Sequence, residues 1–139
     1  MELKVDIELN LDIEKVTKEV LEANRMAMRD TVIAVTREAV RNAPPTYKTP
    51  WTTGHNRRSI AAEVSGMGIV EKGEDAVTGE RMVDDNRIEG AVYSTSGYGG
   101  YLETGTSKMP ARPYFKPALD MNFTQEKYAN KVKEYLKCD

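Results

Sequence analysis

The sequence is poor in the residue types that carry most protein chemistry, with one cysteine and one histidine among 139 residues. A single cysteine cannot form an internal disulfide, and a zinc site of the Cys/His kind needs three or four such ligands. No serine lies in a nucleophile-elbow motif. We therefore expect no metal, no cofactor, no catalytic residue and no enzymatic activity.

Long apolar runs and a strong charge excess are also missing. The longest unbroken apolar stretch, Val32–Val35, is far short of the ~20 residues of a membrane span. The first residues alternate and carry acid, unlike a signal peptide. Twenty Lys and Arg against 22 Asp and Glu give a net charge of −2, whereas a general nucleic-acid binder is normally basic. These features predict no membrane partner and disfavour general nucleic-acid binding.

The first forty residues predict a strand and a long helix. Residues 2–9 alternate aliphatic and charged side chains with a period of two, which is typical of a half-buried strand. Apolar residues then recur at spacings of three and four from residue 12 to residue 42. We expect Asn10 or Asp12 to cap this helix and the proline pair 44–45 to end it.

Short strands and turn-rich segments follow. Residues 44–58 are rich in Pro, Thr and Gly and predict a loop. Period-two patterns predict strands over 59–65 and 88–94, with a further sheet segment at 69–71. The polar residues 72–87 predict either a hairpin arm or a mobile loop, and we expect a flexible acidic arm there.

The last part of the chain shows a second helical pattern, over 114–136. Pro117 lacks an N–H, and its ring would clash with the carbonyl four residues earlier. It therefore belongs in the first turn, which starts the helix near 114–116. The order of elements predicts an α+β fold in one domain, 1–139, with an antiparallel sheet of about 4–5 strands between an N-terminal strand and helix and a C-terminal helix.

Charge is segregated along the chain. Residues 41–58 carry four cations and no acid, and residues 104–118 carry three cations and no acid. Residues 71–89 carry seven acids against three bases. Two interpretations stay open: solubilising charge on surface loops, or an acidic arm that meets a basic loop of a neighbouring subunit in a ring.

Two segments carry a family resemblance. Residues 53–60 read Thr-Gly-His-Asn-Arg-Arg-Ser-Ile, and residues 101–119 read Tyr-Leu-Glu-Thr-Gly-Thr-Ser-Lys-Met-Pro-Ala-Arg-Pro-Tyr-Phe-Lys-Pro-Ala-Leu. Ala-Pro at 43–44 ends the first helix, and Val-Tyr at 92–93 precedes the second segment. In order and in residue types the chain resembles the head–tail joining family of tailed bacteriophages, whose members are neck, tail-completion or minor tail-component proteins.

The resemblance implies a structural virion protein that makes and breaks no covalent bond. We expect it to form a ring at the neck that completes the tail and joins it to the capsid connector. Its expected partners are further copies of itself, as a hexamer or a dodecamer, the head connector or adaptor proteins, and the tail terminator or tail tube protein. Packaged DNA would pass through the lumen without specific binding. The expected location is the virion neck, and the host cytoplasm during assembly.

The loop of the second segment has properties that suit a contact with a partner. Gly105 permits close backbone approach, and the prolines at 110 and 113 push the residues before them toward extended geometry. A stiff extended connector loses little entropy when a partner orders it. Glu103 and Arg112 bracket the loop and could pair across its base.

The predicted interface follows from the resemblance and from these properties. Trp51 is expected either to cover the core or to anchor an interface, and the aromatic pair at 114–115 either to anchor an interface or to lie in the core. The predicted interface residues are Trp51, Arg57, Arg58, Tyr101, Glu103, Gly105, Thr106, Lys108, Met109, Pro110, Arg112 and Tyr114.

Two other functions stay open. The chain could be a tail terminator that caps the tail tube, which is a structural role in the same class. It could instead be a small DNA-binding protein that uses the basic segments, in which case its affinity would fall steeply with salt. His55, beside Arg57 and Arg58, would then contact a phosphate; otherwise it lies in a solvated loop.

Overall fold

The computed structural model describes residues 3–9, 17–43, 55–97, 103–104 and 114–136, and the elements named here lie within them. The strands are β1 (Leu3–Leu9), β2 (Ile60–Val64), β3 (Gly68–Lys72) and β4 (Ile88–Ser94). The helices are α1 (Lys18–Asn42), α2 (His55–Arg58), α3 (Phe115–Asn122) and α4 (Gln125–Leu136). The predicted α+β fold is confirmed.

The four strands form one antiparallel sheet in the order β1-β4-β2-β3. β4 pairs with β1 from Ile88 opposite Leu9 to Ser94 opposite Leu3, and its other edge pairs with β2. β3 is an edge strand whose pairing with β2 skips Val70, which makes a bulge and bends the strand. The predicted strands over 59–65, 69–71 and 88–94 are therefore confirmed.

Helix α1 covers one face of this sheet. Thr17 is extended, and its hydroxyl accepts the Val20 N–H at 3.2 Å, so the helix begins at Lys18. The prediction of a start near residue 12 with Asn10 or Asp12 as cap is wrong. The helix ends at Asn42, before the proline pair, as predicted. Its buried apolar residues share one core with the inner face of the sheet, and that core includes Ala27, Met28, Val32, Val35, Ala39, Ile60, Val64, Ile88 and Val92.

The segment from Gly73 to Arg87, here called the strap, crosses the outer face of the sheet. Ala76 and Val83 pack there against a second, smaller cluster of strand residues. Buried Glu63, 1% exposed, accepts from Arg81 Nε at 2.9 Å and from the Met82 N–H at 3.2 Å. No hairpin forms in this segment, because its apolar residues close over the small side chains of β2 and β4.

The predicted C-terminal helix is two helices in the structure. Phe115 starts α3 and Pro117 lies in its first turn, as predicted. The helix stops after Asn122, whose side chain donates to the Ala118 carbonyl at 2.9 Å. Thr124 then accepts the Lys127 N–H at 3.1 Å and caps α4. Both helices lie along α1, and the Tyr128 hydroxyl donates toward the Asn24 oxygens at 3.0–3.1 Å.

None of the described helices combines the length and the apolar character that a membrane span requires.

Replacement of Gly90 by alanine tests how closely α1 approaches β4. An added Cβ would lie 2.4 Å from Val32 Cγ1 and 3.0 Å from Met28 Sδ, so these side chains or the helix that carries them must shift. We expect a loss of about 1–3 kcal/mol in the free energy of unfolding, measured by denaturant titration. Gly79→Ala is the matched control, because nothing lies within 4 Å of its added Cβ. Equal stability of the two variants would contradict this packing.

Candidate assembly surface

Residues 55–58 of the first family-like segment form the helical turn α2 where the sequence predicted a loop, and residues 44–54 of that predicted loop lie outside the described residues. Arg57 Nε donates to the Val40 carbonyl at 2.7 Å, so this guanidinium caps the last turn of α1. Buried Asn56 accepts hydrogen bonds from the hydroxyls of Ser94 and Ser96. These contacts fix α2 against the C-terminal ends of α1 and β4.

Asp75, near the start of the strap, is held by two basic side chains of α2. Its Oδ2 accepts from Arg58 Nε at 2.7 Å and lies 3.2 Å from His55 Nδ1. The hydrogen bond from Arg58, followed by that from His55, lowers the pKa of this carboxyl below its ordinary value. Gly73 makes this approach possible, because a Cβ there would lie 2.1 Å from the Arg58 carbonyl oxygen.

Ser59, His55 and Asp75 are the residue types of a hydrolytic triad, but the serine here is not exposed to solvent. Ser59 is fully buried, and its hydroxyl donates to the His55 carbonyl at 2.6 Å. His55 Nε2 lies 3.4 Å from the same hydroxyl oxygen, and Asp75 is shared with Arg58. This cluster therefore joins α2 to the strap and does not present Ser59 to a substrate. Among the described residues, no group of His, Cys, Asp and Glu is placed to hold a metal ion.

A groove of about 450 Å³ opens between α1, α2 and the edge strand β3, and we call it the basic groove. Val40 and Ile60 supply its apolar side chains. Its charged residues are the cations Arg37, Arg57, Arg58 and Lys72 and the acids Glu71 and Glu74. Two predicted interface residues, Arg57 and Arg58, are thus brought together with two cations that the sequence did not single out.

The acids of residues 71–89 mostly contact cations of their own chain. Besides Asp75, Glu71 lies 3.4 Å from Arg37, and Asp85 pairs with Arg81. Asp85 also accepts the Gly66 N–H at 2.9 Å, and this backbone bond is the main cause of its lowered pKa. These intramolecular pairs do not support the hypothesis that the acidic arm reaches a neighbour's basic loop.

The Glu103 carboxylate joins the two described parts of the second family-like segment. Glu103 accepts the backbone N–H groups of Tyr114, Phe115 and Lys116 at 2.9, 2.8 and 3.2 Å. Tyr114 occupies the N-cap position, but its own side chain makes no capping hydrogen bond. The Glu103 side chain, eleven residues earlier, caps the N-terminus of α3 instead. The described bonds of Glu103 go to these amides, and the predicted contact with Arg112 lies outside the described residues. The negative charge also matches the positive end of the helix dipole.

The aromatic pair that follows the loop lies in the core. Tyr114 is 0% exposed and Phe115 is 1% exposed, with ring centroids 4.6 Å apart. The core alternative therefore holds for both residues, and the side chain of Tyr114 is not placed on the surface as an interface anchor would be. The pattern could have indicated this, since aromatic residues at the start of a helix after a capped loop commonly pack inward.

The described parts of the two family-like segments lie at the same end of the molecule, where α1 ends. Arg57 caps α1 there, and the Asn42 side chain approaches the Tyr114 carbonyl at 3.5 Å. The remaining predicted interface residues lie outside the described residues, namely Trp51, Tyr101, Gly105, Thr106, Lys108, Met109, Pro110 and Arg112.

Arg37 and Lys72 are the functional candidates that the sequence did not indicate. Arg37 lies in the long helical pattern, where a charged residue indicates only a solvent-exposed position. Lys72 is one of three bases in a stretch dominated by acids. Only the packing of α1 beside β3 places them next to Arg57.

A comparison with known families finds a match to the model described as "Bacteriophage HK97-gp10, putative tail-component", over residues 7–105. The match includes the whole of the first family-like segment and the beginning of the second, up to Gly105. The helices α3 and α4 lie beyond it. No curated protein and no solved structure matches the chain.

Removal of the Glu103 carboxylate tests its role at the loop base. We expect Glu103→Ala to lower the free energy of unfolding by about 1 kcal/mol, because three amides lose their acceptor. Trypsin should also cleave faster after Lys108, measured by mass spectrometry under native conditions. Asp120→Ala is the control, because it removes only an exposed pair with Lys116 on the same helix. Identical cleavage rates in all three proteins would contradict the role of Glu103.

The lowered pKa of Asp75 predicts an acid-dependent contribution to stability. Its ion pairs stabilise the folded state above the unfolded value of about 3.8, and this stabilisation is lost as the pH falls through the lower folded pKa. Asp75→Asn should therefore have a lower Tm than the parent at pH 7, with the difference disappearing by about pH 2.

Glu134→Gln on the exposed side of α4 serves as the control for this pH series. Glu89, whose pKa is raised by burial and by Asp6, is common to all three proteins and cancels in the comparison. A Tm difference for Asp75→Asn that stays constant from pH 7 to pH 2 would contradict the assignment.

Proposed function

We propose a structural role at the head–tail junction for this chain, which belongs to the HK97-gp10-like family of bacteriophage tail components. In this proposal the chain forms a ring in the virion neck, completes the tail and joins it to the capsid connector. Its contacts are non-covalent, and they form when neighbouring subunits and the adjoining ring bind.

The observation that carries the proposal is that the described parts of both family-like segments lie at one end of the molecule. The basic groove and the loop base are held there by contacts of α2 and Glu103 with the ends of α1, β4 and α3. A surface that is fixed in this way needs little ordering on binding, which favours an assembly contact.

The partners follow from this role. The chain would contact further copies of itself in a hexamer, or in a dodecamer if the ring follows the portal side. One face of the ring would meet the head connector or adaptor proteins, and the other the tail terminator or the tail tube protein. Packaged DNA would pass through the lumen without specific binding. The chain would be made in the host cytoplasm and remain in the virion.

The cations of the basic groove support the DNA-binding alternative. A phosphate backbone would contact the same cations, and affinity would then fall steeply with salt. The glutamates of the same groove, Glu71 and Glu74, oppose this alternative, because they would repel phosphates. The tail-terminator alternative places the same ring at the end of the tail tube.

Deletion of the gene in its phage or prophage, followed by electron microscopy of the lysate, tests the proposed function. We expect DNA-filled heads beside separate tails. Tails of normal length would indicate completion and joining, whereas tails of abnormal length would indicate a terminator. Normal joined particles would refute the structural role.

Complementation of the deletion then tests the groove. We expect a plasmid with Arg37→Glu and Lys72→Glu to restore at least tenfold fewer infectious particles than the parent gene, because both changes place acid on the groove. Lys18→Glu with Lys133→Glu makes the same change in net charge on exposed helix positions elsewhere and should restore normal titres. Equal titres from the two plasmids would exclude the groove from assembly.

A further inference from the structure

The basic groove has a surplus of positive charge that its own acids do not remove. Arg57 and Lys72 have no carboxylate partner among the described residues. Arg37 reaches Glu71 at 3.4 Å, but its side chain is 70% exposed, and such surface pairs contribute little. An anionic group on a partner would therefore find cations that are still able to bind it.

The floor of the groove is apolar and small. Val40 contributes aliphatic surface between the charged rims, and Ile60, which is 1% exposed, lies buried at the base of the groove. About 450 Å³ accommodates a few side chains, whereas ten residues of a helix with its side chains, about 10 Å across and about 15 Å long, fill roughly 1,200 Å³. These dimensions favour an extended segment with one aliphatic side chain seated between acidic ones.

The groove also runs beside an unpaired strand edge. β3 pairs only with β2 within the part of the chain that the structure describes, and Glu71, Lys72 and Gly73 line the groove at this edge. An extended segment could form main-chain hydrogen bonds there while its side chains alternate between the rim and the floor. The bulge at Val70 limits such pairing to a short stretch.

From charge, shape and edge together, we propose that the basic groove binds an extended, acidic segment of a neighbouring virion protein, with aliphatic residues between its carboxylates. Arg57 and Lys72 pair with the carboxylates, and an aliphatic side chain covers Val40. The proposal rests on the proposed assembly role and names the chemistry of the partner at that surface.

The test uses the full purified chain and a labelled heptapeptide that alternates valine with aspartate, blocked at both ends. We expect saturable binding by fluorescence anisotropy that weakens at least tenfold between 50 mM and 500 mM salt. A peptide with lysine in place of aspartate should not bind. The variant Arg37→Gln with Lys72→Gln should bind at least tenfold more weakly, while Lys18→Gln with Lys133→Gln should bind like the parent. Circular dichroism and Tm of each variant confirm that it is folded.

Three results would overturn the proposal. The first is that the acidic peptide does not bind at concentrations up to millimolar. The second is an equal loss of peptide affinity in the groove variant and in the distant control variant, since that would indicate non-specific charge attraction. Groove-dependent binding of a DNA duplex without binding of the peptide is the third and would favour nucleic acid as the partner. The gene deletion tests the assembly role separately, so peptide binding with normal joined particles would refute that role and leave the groove assignment in place.

Discussion

The close packing of α1 against β4 is the contact on which the rest of the structure depends. Gly90 leaves no side chain between the strand and the helix, so Val32 and Met28 lie directly on the sheet. With α1 fixed in this way, its other sides receive α3 and α4, and its C-terminal end receives Arg57. The candidate assembly surface is therefore positioned by a helix whose buried face is committed to the core.

The two faces of the sheet are held by different kinds of interaction. The inner face is an aliphatic core, whereas the strap on the outer face combines a few small apolar residues with ion pairs. Buried Glu63 is paired with Arg81, and the nearby Tyr93 hydroxyl is buried without a hydrogen-bond partner among the described residues. Burial, and then the charge of Glu63, raises the pKa of that hydroxyl. Closing the strap thus carries the desolvation cost of a buried carboxylate and of a hydroxyl without a described partner.

Much of the fold could be predicted from the sequence because period-two and helical patterns report which side chains face a core. β4 follows its pattern from Ile88 to Ser94, and Pro117 places the start of α3 correctly. The start of α1 could not be predicted, since Thr17 competes with Asn10 and Asp12 as a cap by equally good local chemistry. The groove could not be predicted either, because Arg37 and Lys72 meet Arg57 only through the tertiary packing of α1 beside β3.

Glu103 has a consequence for how the chain can change in evolution. Because the cap of α3 comes from a residue that precedes the loop, the start of the helix is fixed independently of the residues between them. Substitutions, or even changes in length, within residues 105–113 would leave the helix in register as long as Glu103 can still reach its three amides. The sequence between Glu103 and α3 can therefore diverge while the core that follows it stays constant.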